Sequence, residues 1–127
     1  LEPVDGLAWL DLERERCRSR YLRALQRASQ LHLAAGAVDE ADRLARTALG
    51  VDPWAEDAHG VLVGAALARR DHTGARRALS RALDALHELG VEPGPELGRL
   101  IDRVRTAGGG GASRSSSSGR PATGADR

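Results

Sequence analysis

Lysine, asparagine, methionine and phenylalanine are all absent from this 127-residue chain. Without Lys there is no Gly-Lys-Ser/Thr step, so GGGGASRSS from Gly108 onward is not a phosphate-cradling loop. Aromatics make up 2% of the residues, so any core must be built from Leu, Val and Ala. One Ile and one Tyr leave little to favour strands. A single cysteine, Cys17, permits no internal disulfide and points to a reducing, cytoplasmic setting. No apolar run approaches the roughly 18 residues that a membrane span needs. No basic segment followed by an apolar one marks a secretory leader. Lacking an initiator Met, the chain reads as a piece of a longer protein, and its Ala, Arg and Gly bias resembles a high-G+C bacterial genome.

What is present is helical. Apolar residues recur through Trp9–Ala35 at Leu10, Tyr21, Leu22, Leu25, Ala28, Leu31 and Leu33, with charges between them. Gly36 stands where a left-handed residue stops a helix. A second helix is predicted over about Asp39–Leu49, closed by Gly50. Asp52-Pro53 has the form of a helix start and opens a third, to about Arg69. A fourth is predicted over about Thr73–Leu89 and a fifth over Pro95–Thr106. The expected fold is all-α. Residues 1–107 form the folded part, and residues 108–127, rich in Gly and Ser, form a disordered tail. The folded part carries 16 Arg against 17 Asp and Glu, so it lacks the basic excess of a domain that grips phosphates unaided.

An internal repeat underlies the pattern. DEADRLARTAL from Asp39 aligns with TGARRALSRAL from Thr73, so that Ala41 falls on Ala75, Arg43 on Arg77, Ala48 on Ala82 and Leu49 on Leu83. A period of about 34 residues with helix–turn–helix content is the tetratricopeptide signature. The second unit departs from the first at Arg70, which stands in place of Gly36, and at His87, in place of Pro53. About two antiparallel helix hairpins follow, with a C-terminal helix to cap them.

Three stretches carry a more specific likeness: DGLAWLDLERERCRSRYLRAL, AGAVDEADRLARTALGVDPWAEDAH and LGVEPGPEL. Together, in this order, they resemble the bacterial transcriptional activator domain, the tetratricopeptide-like module of SARP-type regulators. The resemblance spans about residues 5–106. It implies a winged-helix DNA-binding domain upstream, with the module serving dimerisation, packing on that domain and contact with the transcription machinery. DNA would then be met only indirectly. Relatives usually carry an aromatic near Ala78 and bulkier residues than Val63 or Gly64, so a re-packed groove is expected here.

No catalytic, cofactor or metal site emerges. His32, His59, His72 and His87 sit on different segments without ligand spacing. Ser29 and His32 share a helix face, and Glu40 or Asp42 could stand beside them, but nothing supplies an oxyanion hole. Ser29 reads instead as the small residue that a helix contact requires. The candidate interaction residues are Trp9, Arg14, Arg16, Arg20, Trp54 and His59. The arginines of the first helix spread around it among Glu13 and Glu15, as on a solvated face. Core packing is the default expectation for both tryptophans, with Trp54 stapling the junction between repeats and Trp9 sealing the N-terminal end of the module. Trp9 is also the preferred candidate for contact with another domain. The function expected is a non-catalytic interaction and dimerisation module of a transcriptional activator; a free-standing adaptor that holds a peptide is the alternative. The corner at Leu89–Glu96 is expected to end one helix at Gly90, bar its continuation at Pro93 and restart at Pro95.

Overall fold

The computed structural model describes residues 3–119, with side chains over 6–108. Five α-helices follow one another: α1 (Pro3–Ala34), α2 (Val38–Val51), α3 (Glu56–Ala68), α4 (His72–Leu89) and α5 (Pro95–Gly119). Helix α1 packs on α2 and α3 on α4 as two hairpins, α2 joins the hairpins through α3, and α5 lies against α3 and α4. This is the all-α repeat architecture that the sequence predicts.

The central element is α3. From Ala58 to Ala66 only Gly60 is not buried, and its charges are confined to the first turn, at Glu56 and Asp57. A helix apolar on every side has neighbours on every side. The first core cluster gathers Leu25, Ala41, Ala45 and Ala48 against Ala58, Val61 and Leu62. The second gathers Ala75, Ala82 and Leu86 against Val63, with Leu97, Leu100 and Val104 of α5. Alanines at the contacts let the backbones approach, which is how a chain without Phe fills its core. Ser29 is fully buried and satisfies its hydroxyl on the Gln26 carbonyl at 2.8 Å, a packing residue as expected.

The helix ends show why the repeat holds. Gly36 is left-handed at φ 86°, and Ala37 N–H donates to the His32 carbonyl at 2.8 Å. One repeat later Arg70 takes the same conformation at φ 60°, with Asp71 N–H donating to Ala66 at 2.9 Å. The substitution noted in the sequence therefore leaves the turn unchanged and places its strain on an arginine. Gly90 repeats the device at φ 71°, and Val91 N–H folds back to the Leu86 carbonyl at 3.1 Å. The Val91 side chain stays exposed.

Several boundaries differ from expectation. Helix α1 begins at Pro3, well before Trp9. Gly50 lies inside α2, which ends where Asp52 becomes extended. Asp52-Pro53 does not start α3: Asp52 Oδ1 accepts from Trp54 N–H at 3.0 Å, forming a separate turn, and Ala55 occupies the N-cap. Asp52 instead closes α2 with its N–H on Ala48, while its carboxylate is engaged by Trp54 N–H rather than by a helical N–H of α3. Helix α5 continues past Thr106 to Gly119, so the boundary drawn after residue 107 falls within an element. Residues 120–127 of the expected tail lie outside the described residues.

Candidate interaction surface

Helix α1 supplies the end groups that its neighbours lack. Arg18 Nη2 donates to the Val51 carbonyl at 2.5 Å, placing a cation on the open C-terminal carbonyls of α2. Gln26 Oε1 accepts from Ala58 N–H at 3.2 Å, capping α3, whose own N-cap Ala55 offers no side chain for the purpose. Neither role shows in the sequence, because each partner lies more than thirty residues away.

The same alignment opens a concave groove between α1, α3 and α5. It encloses about 500 Å³ and is lined by Leu33, Gly60, Val61, Gly64, Leu97 and Leu100 on its apolar side. Glu56, Asp57 and Glu96 stand at its rim with Arg103. Glycine matters on this floor. A Cβ at Gly64 would lie 2.8 Å from Leu33 Cδ2, so the absence of a side chain lets α1 and α3 close at that level. Ala78, by contrast, lines a separate hollow of about 320 Å³ with Leu49, His59 and Leu62. The small Ala78 therefore borders open space at the seam between α2, α3 and α4 and does not line the concave groove.

The corner is tied to the groove by one carboxylate. Gly94 N–H donates to Glu56 Oε2 at 2.7 Å, fixing the start of α5 to the first turn of α3. Sequence reasoning found the corner and missed Glu56, since its partner is 38 residues away.

The six candidate residues separate into three places. Trp9, Arg16 and Arg20 point the same way from α1, and Arg23 and Arg27 continue their line, all within about 60° at 3.6 residues per turn. The arginines are therefore less scattered than the sequence reading held: four of six share a face. Trp9 is 59% exposed, and Arg20, Arg23 and Arg27 have no carboxylate partner among the described residues. Arg16 reaches Glu13 at 3.0 Å. Arg14 stands on another side of the helix and pairs with Asp11 at 3.3 Å.

Trp54, in the α2–α3 turn, and His59, at the start of α3, meet none of these. Trp54 Nε1 donates to Glu88 Oε1 at 2.8 Å, joining the two repeats as a staple should. His59 is buried, with Nε2 2.9 Å from the Pro53 carbonyl, and serves the turn. A salt-bridge cluster closes the other end of the first hairpin, where Arg69 reaches Asp39 at 2.5 Å and Asp42 at 3.0 Å. Burial pushes the Asp42 carboxyl up, but hydrogen bonds from Arg46 and Arg69 outweigh it and hold it below the usual carboxylate range.

Among the described residues no three His, Cys, Asp or Glu side chains gather as metal ligands, and no helix is long and apolar enough to cross a membrane. No curated protein and no solved structure matches the chain. Two helix hairpins, an end helix fixed by a Pro-Gly-Pro corner and an open groove are what the sequence likeness leads one to expect. The profile of the bacterial transcriptional activator domain matches residues 1–105, and the chain belongs to that family.

Proposed function

We propose that this chain is a non-catalytic interaction module of a cytoplasmic DNA-binding transcriptional activator. Family membership carries the reading, and it is coarse: a role in transcriptional activation. The finer part rests on surfaces. A winged-helix DNA-binding domain upstream supplies sequence recognition, while the module meets that domain, the transcription machinery and a second copy of itself. The near-neutral charge of the folded part supports indirect contact with DNA. Trp9 and the arginine line beside it form the exposed face offered to the other domain.

A mobility-shift titration tests this. The chain alone should bind DNA weakly, without sequence preference and with steep salt dependence. A tight, sequence-specific complex at physiological salt would sink the proposal. So would an upstream sequence encoding further helical repeats in place of about 100 residues of winged helix.

The concave groove favours one second reading, an adaptor that holds a partner peptide. Gly60→Leu would fill the groove from its floor, where a Cβ already meets Leu100 at 3.5 Å. Loss of binding to purified bacterial RNA polymerase in that variant, with binding kept in Trp9→Ala, supports the groove. The opposite pattern supports the α1 face.

A further inference from the structure

Helix α1 is 32 residues long and its hairpin partner α2 only 14. Arg18 already meets the last residue of α2, so the first fifteen or so residues of α1, roughly 22 Å, extend past the hairpin. From Gly6 to Arg18 every side chain is exposed except the half-buried Glu13. A polar helix would need no partner there. This one carries Leu7 at 63% and Leu10 at 42% exposure.

Those leucines open a regular pattern. Leu7, Leu10, Arg14 and Cys17 are continued at alternating steps of three and four by Tyr21, Ala24, Ala28 and Leu31. This is a heptad seam of about three and a half repeats, long enough to specify a helix pair. Tyr21 is 53% and Leu31 60% exposed, while the buried residues Leu25 and Ser29 face the body on another side. From Leu10 to Leu31 the seam is thus turned away from the core face of α1, with Ala28 half-buried between them, while Leu7 lies in line with Leu25 five turns on. At the opposite end of the module the corresponding apolar surface is covered, by Leu97, Leu100 and Val104 of α5.

The seam is complementary to itself when reversed. Turned about a two-fold axis near Ser19, Leu10 meets Ala28, Arg14 meets Ala24 and Cys17 meets Tyr21 of a second copy, large against small in each layer. Leu7 meets Leu31 at the two ends. Beside the seam, Glu13 comes opposite Arg27 twice over, by symmetry. Glu13 holds only an exposed contact to Arg16 in its own helix, worth a few tenths of a kcal/mol and easily exchanged. Arg20 meets its own copy at the axis on that flank and Arg18 its own on the other, and both like-charge pairs oppose association.

We propose that two copies of this chain pair antiparallel through α1, each covering the projecting end of the other. The inference rests on the reading of the chain as an association module and names the surface used. In this arrangement the leucines of one projection lie on the hairpin end of the partner's α1, and neither projection stays bare. Helix–helix packing and the Glu13–Arg27 pairs hold the register.

Sedimentation equilibrium on the 127-residue chain tests it. The parent chain should show a reversible monomer–dimer equilibrium. Leu10→Glu should weaken it by about 30-fold or more, with unchanged helix content by circular dichroism. Glu13→Arg should weaken it by about 5-fold, and Glu13→Arg with Arg27→Glu should restore it. Arg20→Gln should tighten it by about 3-fold, since it removes a like-charge pair. A monomer at every concentration overturns the proposal, as does a dimer indifferent to Leu10→Glu. A double charge swap that fails to restore, or an Arg20→Gln dimer no tighter than the parent, overturns this register. If the chain is monomeric yet still binds polymerase, the seam fails alone and the activator reading stands.

Discussion

Arg70 pays the energetic cost of ending a helix in a conformation that glycine takes freely at Gly36. Arg70→Gly should therefore raise stability by roughly 0.5–1 kcal/mol, read as a higher denaturant midpoint with an unchanged slope. Gly36→Ala should lower it by a similar amount, which makes the pair an internal control. Asp42 allows a test by pH. Its carboxyl is held low in the folded state, so its contribution is present above the ordinary unfolded carboxylate value and is lost as pH falls through the folded one. Asp42→Asn should cost about 1 kcal/mol at neutral pH, and the difference from the parent should vanish in acid. At this scale the sequence was legible where a residue type announces its backbone: Gly36 and Gly90 were read correctly. Arg70 was legible only through the repeat offset, because nothing in an arginine points to positive φ.

At the level of elements, local signals located all five helices but misplaced several of their ends, the start of α3 among them. Asp-Pro is a good opening for a helix in isolation, but here Asp52 closes α2 and its carboxylate is engaged by Trp54 N–H in the turn. The competition between two adjacent ends cannot be seen in either one alone. Glu56 illustrates the other kind of miss, a side chain whose work lies in a distant loop. Glu56→Ala should free the Gly94 N–H, cost about 1–2 kcal/mol and raise amide exchange through the first turns of α5. Protection in α4 should change little, since Gly90 closes that helix on its own carbonyls. The Arg18 and Gln26 caps on α2 and α3 were illegible for the same reason. Trp9, Arg16 and Arg20 were named as candidates by residue type, and the helical register adds that they share a face of α1.

For the whole molecule, the core is completed by α5. Leu97, Leu100 and Val104 are all buried against the second hairpin. Each contributes about 1.5–3 kcal/mol by burial, which together approaches the entire stability of a small domain. A chain truncated after Pro93 should therefore lose its cooperative thermal transition. One truncated after Ala107 should keep it, because the part of α5 beyond that point opens with four glycines, each about 1 kcal/mol worse than Ala in a helix. Differential scanning calorimetry of the two truncations decides between these outcomes. The architecture was legible because the period of the repeat and the corner agree with each other. The groove was not, since it depends on which glycines of α3 face α1 and α5.

Trp54 and Glu88 occupy the same place in successive repeats, 34 residues apart, and they touch. The contact therefore has a direction: the first unit gives a hydrogen, and the second receives it. For a run of identical units, every copy of this position would have to do both. An indole can only give and a carboxylate can only receive, so the two positions are not interchangeable. The acceptor stands in the second unit, two residues before the Gly90 corner, so the corner and the junction between the repeats share one short stretch of α4.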